Sequence, residues 1–281
     1  MTAAGTIGFD DLTTPSGHAS RVPGGSALYF SLAASRLCQV RPVAALGEDG
    51  SELLGLLDES GIDRVGVERM AGATYRWTAV HSEAGGPEAE TQQFGVYEEW
   101  SPRVPQACRD SEILFLGSMP PRAQLAVLGQ CSGADLVAID TMRDFIASER
   151  ELLLELILAA DIFFANRFEL EALMGGGAAL NRARSLLEGD RLRVVVVKEG
   201  AAGATLVTRV GHRLVPAEAV ERAVDPTGAG DALAGGMLGR LAQLRSSDEE
   251  ALLAGLEEGV RAAARAISAF SVEGLLAPGQ G

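Results

Sequence analysis

The sequence predicts an α/β protein built on a central, mainly parallel, doubly wound sheet flanked by helices. Three observations carry that expectation. Short apolar runs alternate with helical repeats along most of the chain, and those runs are apolar on successive residues rather than on every second one. The 34 glycines and only 5% aromatic residues suit tight strand-to-helix turns better than a β-sandwich. A strand that is apolar on both sides is covered on both faces, and in a parallel sheet helices supply the cover.

Taken in order, strands are expected at Val43 to Leu46, Ile113 to Leu116, Leu136 to Ile139, Ile162 to Ala165 and Val194 to Val197. Residues 26–37, 51–60, 121–131, 145–160 and 178–188 repeat Leu or Ala at three- and four-residue spacing, as amphipathic helices do. Residues 64–100 interrupt the alternation. Tyr75 to His81 and Thr91 to Tyr97 read as exposed strands separated by the loop Glu83 to Pro87. They form either a small β lid over a cleft or an edge hairpin on the main sheet. At 281 residues, one domain spanning 1–281 is expected rather than two.

The net charge of -14 argues against a nucleic-acid partner, since phosphate backbones are bound by bringing Lys and Arg to them. A small substrate is expected instead. With 24 Lys and Arg spread through the chain, any phosphate must lean on backbone N–H groups. Cys38, Cys108 and Cys131 are odd in number and lack metal-ligand spacing, which fits reduced thiols in a cytoplasmic protein. The most apolar stretch, 152–165, is interrupted by Glu155 and Asp161, so no membrane partner is expected.

The chemistry concentrates in Asp225-Pro-Thr-Gly-Ala-Gly-Asp231, which opens into a helical face of Leu233, Met237, Leu241 and Leu244. Small residues at Gly228, Ala229 and Gly230 let successive N–H groups point into one space, where the positive end of the helix dipole adds to them. Asp231 falls at the mouth of this anion hole, where a carboxylate can take a proton from an alcohol. Read alone, Asp231 is equally an ordinary helix cap. Two further segments agree with the first reading. Val194 to Val207 runs as strand, turn and strand through Lys198, Gly200 and Gly203, with glycines that permit close backbone approach, as in a nucleotide site or a plain hairpin. Asn166 and Glu169 follow a strand end one helical turn apart and offer hard oxygens to Mg²⁺ or its waters, or a capping box. Near the N-terminus, Pro23-Gly24-Gly25-Ser26 leads into a helix, as a polyhydroxy-substrate turn or a tight connection does.

Together these residues resemble the ribokinase/PfkB family of carbohydrate kinases, in the right order over nearly the whole chain. The string at 225–231 is similar to the family's C-terminal signature, Gly24-Gly25 to its N-terminal one, and Gly47-Glu-Asp49 to its GxD element. The resemblance implies a ribokinase-like fold with a β lid from about 11–23 and 64–100, often used for dimerisation. It also implies ATP-dependent transfer of the γ-phosphoryl group to a hydroxyl, with Asp231 as base and Gly228, Ala229 and Gly230 as anion hole. Asn166 and Glu169 match the family's NxxE element for Mg²⁺, while Lys198, Gly200, Gly203 and Thr227 fall on the ATP side. Asp10, with Asp11 as its competitor, sits where the family binds substrate hydroxyls alongside Gly24 and Gly25. Asp225 is the candidate ligand for a monovalent cation such as K⁺.

Two departures from the family pattern bear on the acceptor. Tyr29 stands where many sugar-binding members carry asparagine, and Asp140-Thr-Met-Arg143 differs from the common sugar-kinase wording at a substrate or phosphate position. These departures point away from a common hexose or pentose; the family implies a sugar or sugar-like acceptor, with a nucleoside or cyclitol kinase and a catalytically silent nucleotide-binding regulator as alternatives. Tyr29, Tyr75 and Trp77 are the aromatics available to stack on a base. The sequence has neither a GxGxxG fingerprint after its first strand nor a Walker GxxxxGK[ST], which removes dinucleotide oxidoreductases and P-loop enzymes.

Overall fold

The computed structural model describes residues 1–82 and 87–277. In its first half the chain runs β1 (Thr2–Ala4), β2 (Gly8–Thr14), β3 (Gly17–Gly24), α1 (Ser26–Ala34), β4 (Arg41–Leu46), α2 (Ser51–Glu59), β5 (Gly66–Arg69), β6 (Tyr75–His81) and β7 (Pro87–Gln93). It continues with α3 (Gln106–Arg109), β8 (Ile113–Leu116), α4 (Pro121–Gln130), β9 (Leu136–Ile139), α5 (Arg143–Leu158), β10 (Ile162–Asn166), α6 (Arg167–Met174) and α7 (Ala179–Leu186). It finishes with β11 (Val194–Lys198), β12 (Ala204–Thr208), β13 (His212–Val215), α8 (Ala229–Leu244), α9 (Glu249–Ile267) and α10 (Glu273–Leu276).

The main sheet has nine strands in the order β13-β12-β11-β10-β9-β8-β1-β4-β5, parallel except where β12 and β13 turn back at one edge. The continuous apolar runs are explained by its two covered faces. Side chains alternate across a strand, so Val194 and Val196 join one core with α1, α8 and α9, while Val195 and Val197 join the other with α4 to α7. Every strand expected from an apolar run is present within a residue or two.

A second, four-stranded sheet, β3-β2-β6-β7, stands apart from the first. The chain crosses into it within residues 5–7, directly after β1. Tyr97 braces that crossing: its hydroxyl donates to Gly5 O (3.1 Å) and accepts from the amides of Ile7 (3.0 Å) and Ala45 (3.1 Å).

This arrangement corrects the lid's expected limits. Residues 66–69 do not belong to the small sheet, because β5 pairs in parallel with β4 at the edge of the main one. The strand expected at Thr91 to Tyr97 ends at Gln93, and Gly95–Glu98 form a 3₁₀ turn. Gly95 takes a positive φ of 53° there, against Ala73 O, and Tyr97 and Trp100 turn inward to the core. The start of the small sheet is Gly8 rather than residue 11. Apart from Pro87, which opens β7, the loop expected at 83–87 lies outside the described residues. No helix among the described residues is long and apolar enough to cross a membrane.

Candidate active site

The carboxyl ends of β9, β10 and β11, adjacent parallel strands, deliver Asp140, Asn166 and Lys198 to one edge of the sheet, where open α/β folds hold ligands. The tip of α8 meets them there. Its N-cap, Gly228, is in the left-handed region (φ 70°, ψ 0°), which favours glycine, and a Cβ at that position falls 2.2 Å from the Tyr29 ring. The turn before it is fixed by Asp225, fully buried, whose two oxygens accept from the Thr227 amide (3.0 Å) and the Ser271 amide (3.0 Å). Residues 228–231 keep part of their surface open. Of the expected anion-hole amides, Ala229 N–H turns back to Pro226 O at 3.3 Å. Gly230 and Asp231, in the first turn of α8, are the amides that helix geometry leaves without an intrahelical acceptor.

Lys198 links this tip to the strand ends. Its ammonium contacts both Asp140 oxygens (2.7 and 2.9 Å) and lies 3.9 Å from Glu169 Oε2. A Cβ added to Gly230 would be only 3.1 Å from the same nitrogen. One cation thus stands among Asp140, Glu169 and Asp231. Burial, then the charge of Asp140, pushes the Asp231 carboxyl up to about 7, with Lys198 pulling it down and Glu169 adding to the rise. Glu169 is raised to about 7 by burial, against the pull of Lys198. Desolvation alone lowers the pKa of Lys198, but Asp140 and then Glu169 outweigh it and hold the ammonium charged. A carboxylate whose proton affinity is tuned to neutrality beside a fixed ammonium is suited to accept a proton from an alcohol.

The capping-box reading of Asn166 and Glu169 is realised in the structure. Asn166 Oδ1 accepts from the Phe168 and Glu169 amides (both 2.9 Å), and Glu169 Oε2 from the Asn166 amide (2.7 Å). The box aims the Glu169 carboxyl group at Lys198.

On the other side of the cleft, Asp10 is buried against Gly24, where any Cβ would fall 2.0 Å from its Oδ2. That oxygen has no hydrogen-bond partner, and burial followed by the charges of Asp225 and Asp231 raises its carboxyl well above the usual range. A buried acceptor left unpaired calls for a donor, and a ligand hydroxyl would supply one. Trp77 is its register neighbour across the parallel β2–β6 pair and keeps part of its surface exposed.

Four expectations need correction. Asp11, next along β2, faces away from Asp10 and accepts from the Ser20 hydroxyl and the Arg21 amide, because neighbours on a strand point to opposite faces. Asp140 is the partner of Lys198 rather than a free substrate contact. Tyr29 is 1% exposed and supports the Gly228 turn from α1, so it is not a lid aromatic; Tyr75 is likewise buried, against Tyr97. The closeness that Gly203 permits is to Val215 O, 2.1 Å from a Cβ there, and serves the β12–β13 return rather than a nucleotide; Gly200 has open space beside it. Sequence reasoning missed His81, whose Nε2 lies 3.0 Å from the Thr227 hydroxyl; its place in the Tyr75 to His81 strand was the only available signal.

Comparison with known proteins identifies the family and the fold. The chain is 31% identical over 265 residues to the cytidine kinase of Thermococcus kodakarensis, covering 92% of this chain and 93% of that one. The nucleoside kinase of Burkholderia thailandensis, solved with inosine, superposes with a TM-score of 0.79 at 18% identity, over 96% of this chain and 91% of that one. The ribokinase of Thermotoga maritima gives 0.77 at 21% identity, over 98% and 94%. Residues 4–273 match the pfkB carbohydrate kinases. With that match over nearly its whole length and a relative 31% identical across 92% of it, the chain belongs to the pfkB family of carbohydrate kinases, phosphotransferases that use ATP and an alcohol acceptor.

Proposed function

We propose that the acceptor is a nucleoside, phosphorylated on a ribose hydroxyl. The observation that carries this reading is the Asp10–Trp77 pair on the inner face of the small sheet: a buried, unpaired carboxyl oxygen for a ribose hydroxyl stands beside a half-buried indole for a base. The whole-length similarity to a protein named cytidine kinase supports it.

In the reaction, Asp10 holds the sugar while Asp231 takes the proton of the attacking hydroxyl. A new O–P bond forms as the bond from the γ-phosphorus to its bridging oxygen breaks, and ADP leaves with that electron pair. The Gly230 and Asp231 amides and the Lys198 ammonium face the charge that builds on the transferring group. No cluster of three or more His, Cys, Asp or Glu side chains that could hold a metal occurs among the described residues. Mg²⁺ carried on phosphates takes one or two protein carboxylates, and Glu169, aimed into the site by its capping box, fits that need. When bound, the metal neutralises phosphate charge.

Pairing of two copies through the edges of the small sheet, β3 and β7, belongs to the same proposal, as does a reducing, cytoplasmic setting, which the three free thiols support. The experiment is an ATP-consumption screen with cytidine, inosine, ribose, fructose and myo-inositol. Nucleosides should lead in kcat/KM by about tenfold or more, roughly one good substrate contact. A free sugar or cyclitol in first place would overturn the nucleoside reading. Asp231→Asn should lower turnover by about 10² to 10⁴.

A further inference from the structure

The small sheet does more at its far end than cover a cleft. Along β6, Tyr75, Trp77, Ala79 and His81 face inward, while Arg76, Thr78 and Val80 face out. Because β2 and β6 are parallel and pair Thr13 with Val80, the last inward residues are Thr14 and His81, side by side. Both reach out of their sheet to the same short segment. Thr14 Oγ1 donates to Val224 O (2.9 Å), and His81 Nε2 meets Thr227 Oγ1 (3.0 Å).

A third tie comes from β3, where Pro23 O accepts from the Ser271 hydroxyl while the Ser271 amide donates to Asp225 (3.0 Å). Three strands of the small sheet therefore grip residues 224–227, directly or through one serine, immediately before Gly228 turns the chain into α8. Among these ties, the His81 contact is the one made between two side chains, and both residues are buried, at 6% and 7% exposure. The His81 ring also lies edge-on to Trp77, with centroids 6.0 Å apart, which limits its freedom to swing away.

We propose that His81 is a positioning residue for phosphoryl transfer. Seated on Thr227, it holds the turn that presents Gly230 and Asp231, so the phosphate-binding tip is complete only when the small sheet is in place. Acceptor recognition at Asp10 and Trp77 and charge stabilisation at α8 then share one rigid element, the β2–β6 pair. A tip displaced by an ångström still binds ATP but no longer meets the transferring group, so the loss falls on kcat. This inference rests on the kinase reading given above, and the test separates the two.

With the full chain, kcat and KM are measured for ATP and for cytidine, or the nucleoside turned over fastest in the screen. The variants are His81→Ala, Thr227→Val and their combination, alongside Asp231→Asn. His81→Ala should lower kcat by about 10- to 100-fold while both KM values change by less than about threefold. The double variant should be no slower than the worse single one, since both break the same His81–Thr227 contact. His81→Gln, which keeps a hydrogen-bonding group of similar reach, should recover part of the rate. It also carries the test should His81→Ala fail to fold. A kcat for His81→Ala within twofold of the parent, or fully additive losses, would overturn the positioning role. A raised nucleoside KM at unchanged kcat would make His81 an acceptor contact instead. An active Asp231→Asn would overturn the catalytic reading itself, whatever His81 does.

Discussion

The ammonium of Lys198 lies 2.7 Å from Asp140 Oδ2, with both groups shielded from solvent at the end of the parallel strands. A buried ion pair is weak evidence for stability, because desolvation offsets much of the attraction. This pair makes better sense as a device for position. It holds a positive charge against Gly230, at the tip of α8.

Lys198→Met should therefore reduce kcat by about 10² to 10³, the usual cost of losing one preorganised charge-stabilising donor. Lys198→Arg should recover part of that loss. Steady-state rates at saturating ATP and nucleoside test it, and a kcat within twofold of the parent would remove Lys198 from the reaction.

The pH dependence follows from the same cluster. As the proposed base, Asp231 acts in its ionised form, and its carboxyl is raised to about 7, so kcat/KM should fall as pH drops through that value. The charge of Asp140 raises Asp231 and that of Lys198 lowers it. Hence Asp140→Asn should move the acid limb to lower pH, and Lys198→Met should move it to higher pH. Shifts in the same direction for both variants would contradict the assignment.

The raised carboxyl also has a sign for stability. A group whose folded pKa exceeds its unfolded one favours folding at low pH and loses that contribution as pH rises through the folded value. For Asp231 that loss runs from about 4 to above 7. The ligand-free Asp231→Asn protein should melt higher than the parent at pH 8, with the gap closing toward pH 5. Scanning calorimetry at the two values decides it; a gap that widens at pH 5 would show that the carboxyl is not raised.

Gly228→Ala meets two obstacles at once, a φ of 70° and the Tyr29 ring. Backbone strain of this kind costs about 1–3 kcal/mol, and the melting temperature should fall by roughly 5 °C or more. Measured against Tyr29→Ala alone, Gly228→Ala should cost less than in the parent, because the collision is gone and only the strain remains. A thermal melt of each variant tests both parts.

Glu169→Gln keeps the hydrogen bond to the Asn166 amide, since glutamine also completes a capping box, but removes the charge. The Mg²⁺ concentration for half-maximal rate should rise by about tenfold, with nucleoside KM little changed. An unaltered metal titration would take Glu169 out of metal handling.

The parts of this molecule visible in its sequence are those set by local pattern. Val194 to Val197 announces a doubly covered strand because both faces of β11 are buried, and Gly228 to Asp231 announces a helix tip because the left-handed N-cap at 228 favours glycine. Thr2–Ala4 gives no such sign, although β1 lies inside the sheet, between β8 and β4. Three residues carry too little periodicity, and threonine and alanine are common everywhere. Tyr97 looked like a strand residue and is a core brace, because nothing local reveals that three backbone groups await its hydroxyl. The partnership of Asp140 with Lys198 and the contact of His81 with Thr227 depend on chain crossings that only the folded sheet order supplies.

The Tyr29 ring beneath Gly228 has a further consequence, in the order of synthesis. The ring leaves the ribosome early, and the tip it supports comes much later, after the whole main sheet has been made. Closing so long a loop is entropically slow, so the two meet only near the end of folding. A chain that stops short of α8 leaves the Tyr29 ring without the turn that packs on it.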